Sequence, residues 1–350
     1  ACALCERDDA RRLVTKDGWH VVRCRQCGLV YVNPRPTFDA LAGIYTDGDY
    51  CAAQIHAADD VKRLRQSARR LRLIEQHYFC PERSGGAPLD ATRERGRLFD
   101  VGCSTGVFLR VARDAGWEVS GIDVSAAAVE HARRVYQLDA HVATLEQFAA
   151  NAVGNGSRSV PLFDVITMFD SLEHMPQPLA ALRAAYQLLK DDGWLVITTP
   201  NIDGLFPRFT YRLFAQTLGA WEHPTPPGHT YQFSRQTLHA VLRKSGFDVV
   251  YCRTEAIPAA YTVGKLEEAI ISALNRGDGR DGGDAKDARD AAPTPHRPNV
   301  PNASMSKLVR RAVRLGVRAV CWGLTLALSA PAPLLNQGDS MIVFARKDKR

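Results

Sequence analysis

The nine residues Leu98-Phe99-Asp100-Val101-Gly102-Cys103-Ser104-Thr105-Gly106 constrain this chain more than any others. With Val107-Phe108-Leu109 they read as a buried strand, a tight glycine turn and the start of a helix. Gly102 lets the backbone turn where a Cβ would collide. Gly106 lets a ligand approach the chain and lets the helix pack close to the sheet. The helix entered there offers unpaired N–H groups and a positive dipole end. A second strand, Val119–Ile122, ends in Asp123. That acid lies roughly 20 residues past the turn, where a ribose-binding carboxylate belongs in a βαβ unit. A nicotinamide-type turn would read G-x-G-x-x-G, but Ser104 takes the third position and the spacing is G-x-x-x-G. Asp100, just ahead of the turn, suits a cationic or amine-bearing ligand better than a pyrophosphate. The stretch therefore predicts a nucleotide-like cofactor of that kind.

From Gly96 onward strands and helices alternate, which argues a parallel sheet with helices on both faces. The predicted strands are Leu98–Val101, Val119–Ile122, His141–Ala143, Asp164–Met168, Trp194–Thr199 and Phe247–Arg253. Far downstream, Ser340–Lys347 reads as one more strand. Helices are expected over Ala126–Tyr136 with Ser125 as N-cap, Leu179–Leu189, and Ser234–Lys244. Ahead of the sheet, Val61–Phe79 reads as the first helix, with Leu64, Leu71, Ile74 and Tyr78 on one face and a solvated basic face opposite. Pro81–Arg95 and Asn151–Pro161 read as loops.

The N-terminus carries Cys2-x-x-Cys5 and Cys24-x-x-Cys27, a spacing in the zinc-ribbon range. Strands Arg12–Lys16 and Trp19–Arg23 flank the hairpin signal Asp17-Gly18. Four thiolates saturate a tetrahedral centre, so the site is expected to be structural; two disulfides are the alternative. Of the nine cysteines the remainder are scattered, and no signal peptide precedes the first pair, which together fit a reducing cytoplasm. The net charge of +7 permits an anionic partner but selects none. Basic residues in the ribbon are mixed with Glu6, Asp8 and Asp9, which disfavours nucleic acid as its ligand.

The D-x-G-C-S-T-G turn at Asp100–Gly106 resembles the first motif of class I S-adenosylmethionine (SAM) methyltransferases. The run F-D-x-I-x-x-x-D-S-L-E-H-M-P over Phe163–Pro176 resembles the fourth motif of the ubiquinone-biosynthesis O-methyltransferase type. Cys24-x-x-Cys27-G-L-x-Y-x-N-P-R-P resembles the zinc-binding leader of bacterial sugar and polysaccharide methyltransferases. The resemblance covers most of Cys2–Phe247 and the last strand. It implies an α/β, Rossmann-like seven-stranded sheet, six strands parallel and one antiparallel, with a small N-terminal zinc ribbon. It also implies SAM and structural Zn2+ as cofactors. Asp123 would bind the ribose hydroxyls, with Val124 beside it. Gly102, Cys103, Ser104 and Gly106 would approach the methionine part, with Asp100 helping to hold it. The adenine would lie near the third-strand end, where this chain offers Thr144 and Leu145 with Glu146 displaced. Phe169, Asp170 and Ser171 would line the cofactor. His174 would face the acceptor as general base, with Glu173 orienting it or capping the next helix. His229 and His223, in an aromatic-rich insert at 202–233, are the competing bases. Leu41–Tyr45 and Asp49-Tyr50 resemble a lid over the cofactor.

The implied organisation is a ribbon at 1–36, a lid and linker at 37–95, and a methyltransferase domain at 96–256 plus 338–350. The remaining 257–337 is an insertion with a disordered centre at 277–301. Within 306–335, Lys307, Arg311, Arg314 and Arg318 share one helical face ahead of an uncharged run broken by Pro331 and Pro333. That run is too short to span a bilayer and predicts an interfacial segment, peripheral at a membrane, or a hydrophobic cap. The expected acceptor is a small molecule: a sugar or glycolipid hydroxyl first, then a sugar carbon or a quinone-type phenol. Two other classes compete, an RNA-binding and RNA-modifying protein that uses the ribbon, and a silent scaffold.

Overall fold

The structure is a computed structural model that describes residues 1–46, 48–58, 60–79, 94–152, 162–215, 221, 223–257 and 331–348, with 263–264, 316, 318–319, 321–323 and 325–327. Most of the predicted loops at 81–95 and 151–161, the predicted disordered centre 277–301 and much of 306–335 lie outside the described residues.

The chain opens with a hairpin, β1 (Ala10–Lys16) and β2 (Trp19–Cys24), paired from Ala10↔Cys24 to Lys16↔Trp19. Asp17 and Gly18 both take positive φ, 51° and 79°, the primed turn whose twist matches that of the strands. β3 (Val30–Val32) adds to β2. Three helices follow, α1 (Phe38–Thr46), α2 (Gly48–His56) and α3 (Val61–Phe79). The sequence made α3 the first helix; two short ones precede it, because Leu41, Ile44 and Tyr45 recur at helical spacing within the predicted lid. α3 buries Leu71, Ile74 and Tyr78.

The remaining elements alternate as β4 (Arg97–Val101), α4 (Val107–Asp114), β5 (Glu118–Asp123), α5 (Ala126–Tyr136), β6 (Asp139–Val142), α6 (Leu145–Ala152), β7 (Phe163–Phe169), α7 (Pro178–Leu188) and β8 (Leu189–Pro200). After α8 (Leu205–Thr210) and β9 (Tyr231–Gln232) come α9 (Arg235–Lys244), β10 (Phe247–Glu255) and β11 (Ser340–Lys347). The Ser125 hydroxyl accepts from the Ala128 N–H at 3.4 Å, capping α5 as expected. α9 carries a reciprocal cap between Ser234 and Thr237. α6 begins where the sequence ended a strand. The Thr144 N–H donates to Gln147 Oε1 at 2.9 Å and the Gln147 N–H donates back to Thr144 Oγ1 at 3.2 Å. That T-x-x-Q capping box was the overlooked signal for this helix.

Seven strands form one sheet in the order β10-β11-β8-β7-β4-β5-β6. β11 runs antiparallel to both neighbours and every other pairing is parallel. The expected six-plus-one sheet is what the chain forms. Alternate side chains go to opposite faces, as the pleat requires. Phe99, Ile166, Ile197 and Val343 pack in one layer; Leu98, Val165, Val196 and Phe344 pack in the other.

A second sheet has the order β1-β2-β3-β9. Its fourth strand comes from the 202–233 insert, with Val30↔Gln232 and Tyr31↔Tyr231 in register. Cys2, Leu4, Leu29 and Tyr31 of the cysteine module share a core layer with Tyr231, Phe233 and Leu238. The Lys244 ammonium closes the junction by donating to the Leu4 carbonyl at 2.8 Å. The module is built into the larger domain by strand pairing and a common core.

Candidate active site

Parallel strands place their loops together at the carboxyl edge of the sheet, where open α/β folds bind ligands. Here the edge holds a cavity of about 880 Å³, within the range of small-molecule sites. Every residue the sequence singled out for the cofactor lines it except Gly106: Asp100, Gly102, Cys103 and Ser104 from the first turn, Asp123 and Val124 from the second, Thr144 and Leu145 from the third, and Phe169, Asp170 and Ser171 from the fourth.

The first turn is held by its neighbour strand. The Gly102 and Cys103 N–H groups both donate to the Ile122 carbonyl, at 2.8 and 2.9 Å. Ser104 takes φ 50° and Gly102 φ 80°, and a Cβ on Gly102 would come within 3.0 Å of the Ser171 Cβ. Gly106, at φ 82°, has a different task. A Cβ there would meet Leu138 Cδ1 at 2.5 Å and Ala132 Cβ at 2.9 Å, so this glycine seats α4 against α5.

Both oxygens of Asp123 are fixed, Oδ2 by the Ser104 N–H and Oδ1 by the Ser125 N–H, each at 2.8 Å. Burial nevertheless raises its pKa. Asp100 is 4% exposed and accepts from the Thr167 hydroxyl at 2.6 Å. Burial pushes its carboxyl up to about 7, against the pull of that hydroxyl and of Arg70. A cation brought to Asp100 would therefore be met by a poorly solvated carboxylate.

Arg70 is one of the cavity residues the sequence reading missed, because the basic side of α3 read as a solvated face. Its guanidinium donates to Asp170 Oδ2 at 2.7 Å and to Thr198 Oγ1 at 3.2 Å. It also stacks over Phe169 at 4.4 Å. Its signal was position alone: Arg70 lies among the cationic residues of α3 on the side that faces the sheet edge, together with Arg63, Gln66 and Ser67. Phe38, Leu41 and Tyr45 of α1 cover the same cavity.

His174 lies at the cavity wall next to Met175 and Pro176, in a short 3₁₀ turn over Leu172–His174. Burial lowers its pKa. Its Nδ1 stands 2.6 Å from Tyr45 Oη and 2.8 Å from the Gly228 carbonyl. His229 packs edge-on against its ring at 4.7 Å. Glu173 is 1% exposed, and neither of its oxygens has a hydrogen bond of ordinary geometry. Burial pushes it up to about 8, with the Asp170 charge adding to the effect and the Thr199 hydroxyl opposing it. One side-chain donor atom from each of Glu173, His174 and His229 lies within 4.8 Å of the others. His223 stands apart, stacked on Trp221 at 6.0 Å and absent from the cavity lining. Burial pushes it down to about 4.

The four N-terminal cysteines form a second cluster, with all sulfurs within 4.8 Å of one another. The Cys2–Cys27 and Cys5–Cys24 sulfurs are 3.5 Å apart, well beyond the ~2.05 Å of a disulfide, and all four are free thiols. The disulfide alternative is not what the structure forms. Sulfur separations of this size suit four thiolates around one tetrahedral ion with ~2.3 Å bonds.

Comparison with known proteins places the chain in a family. A family model described as a methyltransferase domain matches residues 75–251. The ubiquinone biosynthesis O-methyltransferase of Actinobacillus pleuropneumoniae (serotype 5b) is 34% identical over 110 residues, 30% of this chain and 46% of that protein. The protein of the same name from Aromatoleum aromaticum is 28% identical over 173 residues, 48% of this chain and 66% of that one. The chain thus spans about half the length of the first of these curated relatives. A solved SAM-dependent methyltransferase from Archaeoglobus fulgidus is 16% identical, with 81% of this chain and 94% of that one covered at a TM-score of 0.44. With half of its length matched by that family model, and with the glycine turn and second-strand acid on one cavity, the chain belongs to the methyltransferase-domain family and has a class I SAM-dependent methyltransferase core.

Proposed function

We propose that the protein transfers a methyl group from SAM to a hydroxyl of a small-molecule acceptor, a sugar or glycolipid intermediate by first choice, with His174 as general base. The observation that carries this reading is the convergence of the Asp123 carboxylate, the Asp100 carboxylate and the Arg70 guanidinium on a single cavity that ends at His174. When bound, SAM supplies an activated methyl as a sulfonium.

The chain's own residues then have separable tasks. Asp123, already clamped by two backbone N–H groups, accepts from the ribose hydroxyls. Asp100 meets the ammonium of the methionine part and Arg70 its carboxylate. Thr144, Leu145 and Glu146 border the adenine, and Phe169–Ser171 line the cofactor's flank. Phe38, Leu41 and Tyr45 exclude water, which strengthens each charge interaction inside. Holding acceptor and methyl in line accounts for much of such a rate. His174 takes the acceptor proton, and its imidazole is suited to that at neutral pH. Glu173 and His229 border the base, and His223 is the remote alternative. The Cys2, Cys5, Cys24 and Cys27 thiolates hold a structural zinc ion.

A quinone-type phenol is the second reading of the acceptor, favoured by the curated relatives named as ubiquinone biosynthesis O-methyltransferases. The acceptor's route to the protein is read from 316–335. Leu334 and Leu335 are 89% and 63% exposed and Leu326 is 54% exposed, downstream of the basic run Lys307–Arg318. No helix among the described residues is long and apolar enough to cross a membrane, and we infer peripheral contact with an anionic surface through these side chains.

Calorimetry on zinc-replete protein tests the reading, with NAD as control. SAM binding without NAD binding is expected, and Asp123→Ala should weaken it at least tenfold, the scale of a lost hydrogen bond to a charged group. Unchanged affinity in that variant would defeat the assignment.

A further inference from the structure

The lid and the base touch. Tyr45 Oη is 2.6 Å from His174 Nδ1 and 3.4 Å from the Gly228 carbonyl, while His174 Nδ1 is 2.8 Å from the same carbonyl. A carbonyl oxygen only accepts, so the 2.8 Å contact requires that Nδ1 carry the hydrogen. Tyr45 Oη then accepts from that N–H and turns its own hydrogen toward Gly228. A Cβ on Gly228 would stand 3.3 Å from Tyr45 Oη, so the two residues pack closely here. With Nδ1 protonated, Nε2 keeps its lone pair.

We propose that Tyr45 is a positioning residue which couples closure of α1 over the cofactor to the seating of His174, supporting the Nδ1–H form that the Gly228 carbonyl sets, so that Nε2 is the atom that receives the acceptor's proton. This rests on the methyltransferase reading above. Tyr45 sits on the helix that also supplies Phe38 and Leu41 to the cavity, so whatever orders α1 over SAM also brings Oη to the imidazole. When Nε2 takes the proton the ring becomes imidazolium, and the Nδ1–H donates more strongly to Tyr45 and Gly228. The base is therefore strongest when the lid is shut.

The test uses the full, zinc-replete chain with S-adenosylhomocysteine as probe. Ring nitrogens of His174 are followed by NMR through a pH titration, the resonances being assigned by their loss in His174→Gln. The charged and titratable groups near this ring are Glu173 from its own turn, Asp170 just before it with Arg70 of α3 paired to that carboxylate, and His229 from the loop before β9, and all are retained in Tyr45→Phe. In the parent complex His174 should titrate from the Nδ1–H form. In the probe complex of Tyr45→Phe the His174 midpoint should fall by about one pH unit, a tenfold loss of basicity. Should Tyr45→Phe fail to fold, the parent alone gives a second reading: adding the probe should protect α1 amides from exchange and shift the His174 Nδ1 signal together. Probe binding with an unmoved midpoint, or an Nε2–H form in the parent complex, overturns the role of Tyr45 and leaves the methyltransferase reading standing. Failure of the parent to bind the probe overturns both.

Discussion

Gly106→Ala separates two reasons for a glycine in the first turn. The residue sits at φ 82°, where an L side chain costs about 1–2 kcal/mol. The new Cβ would also lie 2.5 Å from Leu138 Cδ1 and 2.9 Å from Ala132 Cβ. Leu138 is 5% exposed and Ala132 fully buried. The alanine Cβ can retreat only if α5 moves, and overpacking of that kind costs about 1–3 kcal/mol. Together the change should cost roughly 2–5 kcal/mol, a fall in Tm of about 4–20 °C for a domain of this size. Gly18→Ala is the control. It shares a positive φ of 79° but has nothing within 4 Å of the added Cβ, so it should lose only the conformational part, about 1–2 kcal/mol. Urea unfolding of the three proteins, with calorimetric binding of S-adenosylhomocysteine alongside, gives both quantities. A Gly106→Ala protein as stable as the Gly18→Ala control, yet unable to bind, would show that the glycine makes room for the ligand and that the packing explanation is wrong.

Ligand binding should depend on pH through Asp100. Burial pushes its folded-state pKa to about 7, above the ~3.9 of an unfolded chain, so its carboxyl lowers the stability of the free protein as pH rises through that window. An ammonium partner favours the anion, and S-adenosylhomocysteine should release protons on binding at pH 6, read by calorimetry in buffers of different ionisation heat; equal heats in every buffer would remove Asp100 from the site. Removing metal with a chelator, or Cys24→Ser, should lower Tm and speed amide exchange at Tyr231 and Gln232, since those residues complete the ribbon sheet; exchange unchanged at β9 would show that the ribbon does not support it. Arg70→Met should weaken S-adenosylhomocysteine about tenfold or more and leave adenosine binding unaltered; equal losses for both would move Arg70 away from the carboxylate. Anionic liposomes should sediment the full chain more than a Leu334→Ser/Leu335→Ser variant, and identical sedimentation would exclude those leucines as a docking surface.

Much of this fold was legible in the sequence because its signals are local. Glycine at Gly102 and Gly106, an acid closing each of the first two strands, and apolar runs flanked by helical periods describe a βαβ unit with no distant contact needed. The last strand was readable too, because Ser340–Lys347 is an isolated strand-like run and the family resemblance implies an antiparallel seventh strand. The four cysteines announced their cluster by spacing alone. Helix α6 was missed through an overlooked capping box, which is again a local signal.

What tertiary structure alone decided are the relations between segments far apart in the chain. Tyr231 pairs with Tyr31 across 200 residues, and nothing in either strand states that the aromatic insert completes the cysteine module. Arg70 reads as one more cation on a basic helix until folding turns it onto Asp170 and Phe169. His174, His229 and His223 are equivalent in composition, and only their surroundings separate them. One meets Tyr45 and Gly228, one packs edge-on against the first, and one stacks on Trp221 away from the cavity. Sequence fixes what each short segment prefers, because propensity and turn chemistry act over a few bonds. Which segments meet is set by the burial of a common core, a property of the whole chain.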